Sequence, residues 1–318
     1  MLAATSSDVL SPPALYSAED LCRAVRAASA DAWRAGSRGL DRVLHHDADR
    51  ALLEVQASVP WNSLLRFSGT QGLSGTVGES VAENRLGPDG RPMVAHVHAL
   101  TLATADGQLR RASREHSPEL FRLAVGGFGA FGPFYSVTLD LASWERSAAS
   151  SCAPARFELP PTDAAGTPHV VELLLPPGRS DALAVRARDL VAERRCALVS
   201  MEARRVQPED VTFLRWARRE WASLRIEYHS RPTLGASVAA AQLSRRMLDL
   251  AVEAGGAFLP SLLPIASRAQ AEACYPMLAQ FIAEKRRLDP AERITPPWYR
   301  SVFRAWHAAP CRVRFAKA

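Results

Sequence analysis

The sequence predicts an α+β protein of two domains. Three observations point there. Residues 169–254 alternate between short apolar runs of period two and longer segments of helical period. That β-α-β-α-β-α order suggests an antiparallel sheet with helices on one face, a ferredoxin-like arrangement. Residues 96–111 carry apolar alternation on both sides of Asp106-Gly107, the strongest short-range hairpin signal. The 318 residues, 47% hydrophobic and 23% charged, suffice for two cores and have ordinary globular composition.

Taken in order, residues 1–13 are small and polar and read as a loose tail. Ser17 opens a helix that places Leu21, Val25 and Ala28 on one face, and Ser17 with Asp20 forms a variant capping box. Residues 31–39, with Gly36 and Gly39, read as a turn, and 41–46 is too short to show a period. Residues 51–57 are a strand by composition, and 60–67 a short helix with Pro60 at its start. Residues 68–78 hold four glycines and read as a loop; 87–92 is a second, turn-rich one.

After the hairpin, Ser117 is placed to cap a short helix with Pro118 in its first turn and Leu120, Phe121 and Ala124 on its buried side. Four glycines follow within 126–132, then an alternating strand over 134–141. Glycine tolerates positive φ and lets backbone pass close to a neighbour. Such a stretch is either a tight helix-to-strand corner in a core or a ligand loop, and the residues alone leave both open.

Residues 145–168, rich in Ser, Ala and Pro, read as a domain boundary or a crossover. Beyond it come a strand at 169–175, a helix at 179–195 with Leu183, Ala187, Leu190 and Val191 on one side, and a strand at 196–204. A short helix from Pro208 to about Arg219, a strand at 221–228 and a helix over 237–254 stopped by Gly255-Gly256 complete the alternation. A last helix, 267–289, is broken near Pro276, and an irregular tail starts at Pro296.

The net charge of +6 is spread over scattered arginines, with no basic run interleaved with aromatics, so no nucleic-acid groove is expected. Five cysteines without close spacing fit a reducing compartment and show no metal signature. No leader pattern stands at the N-terminus, and no apolar run approaches the ~20 residues of a membrane span. A cytoplasmic protein without an integral membrane segment is expected.

His96 and His98, two apart, share a face of the hairpin but have no third ligand, and His45-His46 with Asp47 and Asp49 is metal-like in composition alone, so no metal is expected. No serine stands in a nucleophile-elbow context. Trp216, Trp221 and Tyr228 suit the second domain's core in preference to a substrate face, and Lys285 suits a helix end. Arg225 and Glu227 share one face of their strand, but no catalytic residue is assigned.

Four stretches together resemble the FAD-linked oxidases with a vanillyl-alcohol-oxidase (PCMH-type) FAD-binding domain, nearest the sugar and aldonolactone oxidase and decaprenylphosphoryl-ribose oxidase branch. They are Leu53-Glu54-Val55-Gln56-Ala57-Ser58-Val59-Pro60-Trp61, the loop from Gly75-Thr76-Val77-Gly78-Glu79-Ser80 through Asn84-Arg85-Leu86-Gly87, and the hairpin with Glu119-Leu120-Phe121 and the glycine stretch. The fourth runs from Gln270 through Tyr275-Pro276 to Lys285 and Asp289-Pro290.

The resemblance implies a shortened PCMH-type FAD-binding domain at 14–145, a ferredoxin-like cap domain at 155–265 that selects a small-molecule substrate, and a C-terminal segment, 266–318, returning to the first domain. It implies that Gly75, Thr76, Val77, Gly78 and Ser80 line the FAD diphosphate. Asn84 and Gly87 would sit nearer the flavin, while Gly126, Gly127, Gly129 and Gly132 let backbone pass beside it. The activity implied is an FAD-dependent oxidation of a hydroxyl carbon of a sugar-like or polyol substrate.

The chain departs from the family pattern in several places. The early phosphate loop is represented only by 34–39, and the position for a flavin-linked histidine is empty, which implies non-covalent FAD. A paired glycine becomes Gly78-Glu79, and a histidine is lost between Asn84 and Gly87. The alternative is a flavin-free protein of the same architecture, acting in binding, scaffolding or a non-redox reaction.

Overall fold

The computed structural model describes residues 16–27, 39–68, 73–148, 154–159 and 166–307. The expected tail, most of the 31–39 turn and the stand-in phosphate loop lie outside these residues. The architecture is mixed α+β with two five-stranded antiparallel sheets.

The first sheet has the order β1 (Val43–Asp47), β2 (Leu52–Gln56), β5 (Phe134–Asp140), β3 (Val97–Ala103), β4 (Leu109–Ser113). Central β5 is nearly buried throughout, as expected of a strand covered on both faces. Edge strand β1 is exposed along most of its length, so no apolar period announced it; its pairing with β2 makes it a strand. The hairpin forms as expected. Gly107 takes φ +75° at the bend, and its N–H donates to Thr104 O at 2.7 Å.

Helix α1 (Ala18–Arg26) begins where Ser17 Oγ accepts from Asp20 N, but the Asp20 carboxylate accepts from Tyr16 N, one residue before the expected partner. A turn at Trp61–Leu64 runs into α2 (Leu65–Ser68), with Pro60 at its start. The expected loop through Gly78 differs: α3 (Val77–Ala82) occupies its end. Thr76 Oγ1 accepts from Glu79 N and Glu79 accepts from Thr76 N, a complete capping box. Its Thr-x-x-Glu signature was overshadowed by the surrounding glycines.

Helix α4 (Pro118–Ala124) starts with Pro118 in its first turn, but Ser117 does not cap it; this serine sits at φ 53° with no capping bond. Helix α5 (Leu141–Ala148) follows β5 directly, across the point where composition suggested the chain had left the domain.

The second sheet has the order β10 (Ala257–Phe258), β7 (Thr167–Leu175), β9 (Trp221–Ser230), β8 (Ala197–Val206), β6 (Ala155–Arg156). Helices α6 (Ser180–Glu193) and α7 (Leu234–Glu253) pack against it and against each other. From β7 to β10 the order is β-α-β-β-α-β, the ferredoxin-like one. The helix expected from Pro208 is therefore a correction. Glu209 instead accepts from Val211 N (2.7 Å) and Thr212 N (2.9 Å), a local bonding pattern that competes with helix. The freed segment reaches the elements around the first sheet, where Phe213 N donates to Arg122 O and Trp216 Nε1 to Asn84 O.

Tyr228, expected in a core, is buried, and its hydroxyl donates to Ala240 O of α7 at 2.9 Å. Burial pushes this phenol up to about 12. The opposite face of the sheet is charged: Glu172, Arg225 and Glu202 stand abreast on β7, β9 and β8. Burial raises the Glu172 carboxyl above the usual glutamate range, against the bond from Ser223 Oγ and the nearby Arg225.

The folded chain thus holds a proton at Glu172 more tightly than the unfolded chain. The resulting stability is full below the ordinary glutamate range and is lost as pH rises through the elevated folded value. Glu172→Gln is expected to melt above the parent at about pH 8 and to flatten the parent's decline in Tm above about pH 4. Thermal melts across that interval check this; parallel profiles for the two proteins would refute it.

The last expected helix is broken at Pro276 into α8 (Arg268–Cys274) and α9 (Leu278–Leu288). The expected irregular tail is instead α10 (Pro297–His307), which Pro297 opens. This segment returns to the first sheet: Trp298 Nε1 donates to Phe128 O at 2.8 Å, and Phe281 packs edge-on to Phe131. Among the described residues, no helix is long and apolar enough to cross a membrane.

Candidate functional site

The glycine corner separates two cavities. Gly129 and Gly132 face a cleft of about 560 Å³; Phe131 faces a cavity of about 610 Å³ between the hairpin bend and α4. Both volumes fall within the ~300–1,000 Å³ of small-molecule sites. The first is the candidate site, because both glycine-bearing stretches singled out in the sequence reach it. Thr76 and Gly78 line it from the start of α3, and Gly129 and Gly132 from the corner.

The remaining seven of the eleven expected residues lie elsewhere. Val77, Ser80 and Asn84 are buried behind the lining. Ser80 Oγ accepts from Trp61 Nε1 at 2.8 Å, and Asn84 Oδ1 from Val94 N at 2.8 Å. Gly87 backs onto Asp89 and His96: a Cβ there would stand 2.7 Å from Asp89 Oδ1. Gly75 lies exposed beside Glu79 and Arg85. Gly126 and Gly127 belong to the corner's inner side, where added Cβ atoms would meet Asn84 Cβ at 3.1 Å and Leu123 O at 2.1 Å.

Most of these glycines are required by the protein's own close packing. A Cβ at Gly78 would come within 2.7 Å of Ala57 O, and one at Gly132, where φ is +142°, within 2.1 Å of Ala103 O. Their N–H groups are committed as well. Gly78 N donates to Ala57 O (2.7 Å), Gly126 N to Val81 O (3.1 Å) and Gly132 N to Gly129 O (3.3 Å). Those of Thr76, Val77, Ser80, Asn84, Gly87 and Gly127 are likewise bonded within the protein. A phosphate cradle requires such donors to point at the ligand.

The walls of the cleft come largely from residues the sequence reading did not single out: Phe128, Phe134, Pro296, Pro297 and Trp298. Trp298 was hidden because it reaches the cleft only when α10 folds back across the corner. Phe128, at φ 51°, lies 5.4 Å from the Trp298 ring, tilted by 59°. Glu79 and Glu83 add carboxylates, and among the described residues no Lys, Arg or His lines the cleft. Glu83 is paired at 2.8 Å with Arg85, which stands outside the lining.

An FAD molecule is the group the resemblance implies. The apolar, aromatic lining suits a ring system. The described residues do not suit its diphosphate: committed N–H groups, two carboxylates and no lining cation oppose a dianion. On the described residues, FAD as a whole does not fit.

Other candidates are absorbed by structure. His96 ends a 3-10 turn, is buried, stacks on Trp144 at 4.3 Å and shares a hydrogen bond with Ser143 Oγ at 2.9 Å. Its Nε2 stands 3.4 Å from Asp89 Oδ2. His98 lies on β3 and is half-buried. Among the described residues, no group of three or more His, Cys, Asp or Glu side chains is arranged to hold a metal ion. Arg225 and Glu227 pair with each other at 3.2 Å and do not line the cleft. Compared with the models of known protein families and with curated proteins, the chain matches none.

Proposed function

We propose that this chain is a small-molecule-binding protein with the architecture of an FAD-linked oxidase, a PCMH-type domain with a ferredoxin-like cap, working without a dinucleotide. The observation that carries this reading is the state of the expected phosphate loop. The main-chain donors of Thr76, Val77, Gly78 and Ser80 are already bonded inside the protein, and among the described residues the cleft beside them presents carboxylates in place of cations. What the cleft retains is an aromatic surface. Apolar lining with a few polar groups is the ordinary constitution of a ligand site.

A second reading is favoured by one observation. Thr76 and Gly78 meet Gly129 and Gly132 on a single cleft, as a flavin site of this architecture requires. On that reading the chain is a non-covalent FAD-dependent oxidoreductase acting on a hydroxyl carbon of a sugar-like or polyol substrate.

One pair of measurements separates them. The purified protein is expected to lack absorbance near ~450 nm, and its Tm is expected to stay unchanged on titration with FAD. A yellow protein that loses its colour on denaturation, or a Tm that climbs with FAD concentration, would establish the second reading. A ligand that binds only the native state must raise stability, by about 2.7 kcal/mol at 100 times its Kd.

A further inference from the structure

We propose that the cleft between α3, the glycine corner and α10 takes a flat organic cation, an aromatic ring carrying a positively charged nitrogen. The proposal rests on the small-molecule-binding reading above and names the class of ligand.

Charge sets the sign. Among the described residues, Glu79 and Glu83 are the ionisable side chains of the lining. Arg85 bonds Glu83 through Nε at 2.8 Å and Ser74 O through a terminal nitrogen at 3.2 Å. Counting Arg85 against the two glutamates leaves one net negative charge at this side of the cleft. The positive end of α3 offers an anion little, because the Thr76 and Glu79 N–H groups are taken by the capping box.

Shape sets the rest. Trp298 is half-buried and fixed by its bond to Phe128 O, so its ring is held beside the cleft instead of turning freely. Phe128 and Phe134 add two further rings to the lining, and Pro296 and Pro297 add rigid apolar surface. Aromatic faces attract cations through their quadrupole, tryptophan most strongly. A planar cation would gain from both features; a neutral ring gains only from the second, and an anion loses on the first.

The test titrates the full chain, at low salt and about pH 8, with three flat probes of similar size: 10-methylacridinium, neutral acridine and acridine-9-carboxylate. Binding is followed by calorimetry. The cation is expected to bind roughly tenfold more tightly than the neutral ring, with the anion weakest. In the double variant Glu79→Gln/Glu83→Gln that preference is expected to fall to about twofold or less. Glutamine at position 79 can keep the capping box, and thermal melting confirms that the variant is folded. Trp298→Leu locates the site and is expected to weaken the cation selectively.

Equal binding of the cation and the neutral ring would overturn the cationic assignment while leaving a binding cleft. So would a cation preference left undiminished in the folded double variant. Cation binding indifferent to Trp298→Leu would remove it from this cleft. Absence of binding by all three probes would overturn this inference and the small-molecule reading together.

Discussion

Lys285→Ala is expected to lower the stability of the fold by about 3–5 kcal/mol, the largest effect of any single side-chain truncation proposed for this chain. Lys285 is fully buried on α9, with its ammonium against the carboxylate of Asp289 one turn on and 5.8 Å from the Tyr299 ring. Burial depresses the lysine pKa, and the bond to Asp289 opposes that shift. Asp289 also accepts from Arg293 N (3.0 Å) and Ile294 N (2.9 Å), fixing the turn that leads to α10.

Removing the lysine leaves a buried carboxylate without its countercharge. That is why truncation costs more than the pair itself contributes. Denaturant titration should show a lower midpoint with little change in slope. The neutral pair Lys285→Met/Asp289→Asn, which keeps an acceptor for the Ile294 N–H, should recover most of the loss. If the single variant melts within about 1 kcal/mol of the parent, Lys285 is not buried as described.

Gly132→Ala is the second large effect, expected to cost roughly 2–4 kcal/mol. Position 132 combines a φ of +142°, which L side chains rarely adopt, with a backbone carbonyl in the way of any side chain. Ala103 O cannot step aside easily, since it belongs to β3 at the hairpin. Gly255→Ala is the internal control: its φ is +73°, but an added Cβ meets nothing within 4 Å. It should therefore cost only the conformational term of about 1 kcal/mol. Comparable losses at the two positions would mean that steric closeness plays no part at the corner.

These variants bear on how much could be read before folding. Elements that carry their own period were legible. The face of Leu183, Ala187, Leu190 and Val191, the Asp106-Gly107 bend and the Gly255 stop all lie where the residues indicated. Elements that depend on partners were not. Strand β1 has no buried face of its own, and the segment after Pro208 gives up helix for bonds to Glu209 and to Arg122, far away in the chain. Helix α10 has Pro296-Pro297 at its start, which reads equally as a coil.

The candidate site divides the same way. Sequence picked out the two glycine stretches, and four of the eleven residues named do line one cleft. It could not show that Gly78, Gly126 and Gly127 are held in close contact with Ala57, Asn84 and Leu123, because those contacts join residues far apart in the chain or depend on a turn's exact path.

By itself, then, the order of residues determined local matters: where the helices and strands with a period of their own run, and where glycine marks a turn or a stop. Only the tertiary structure decided what those bare positions are for, and that the cleft is aromatic and acidic. Periodicity and turn chemistry are properties of neighbours along the chain. A cavity's lining and the fate of an N–H group are set by whichever distant segment packs against them.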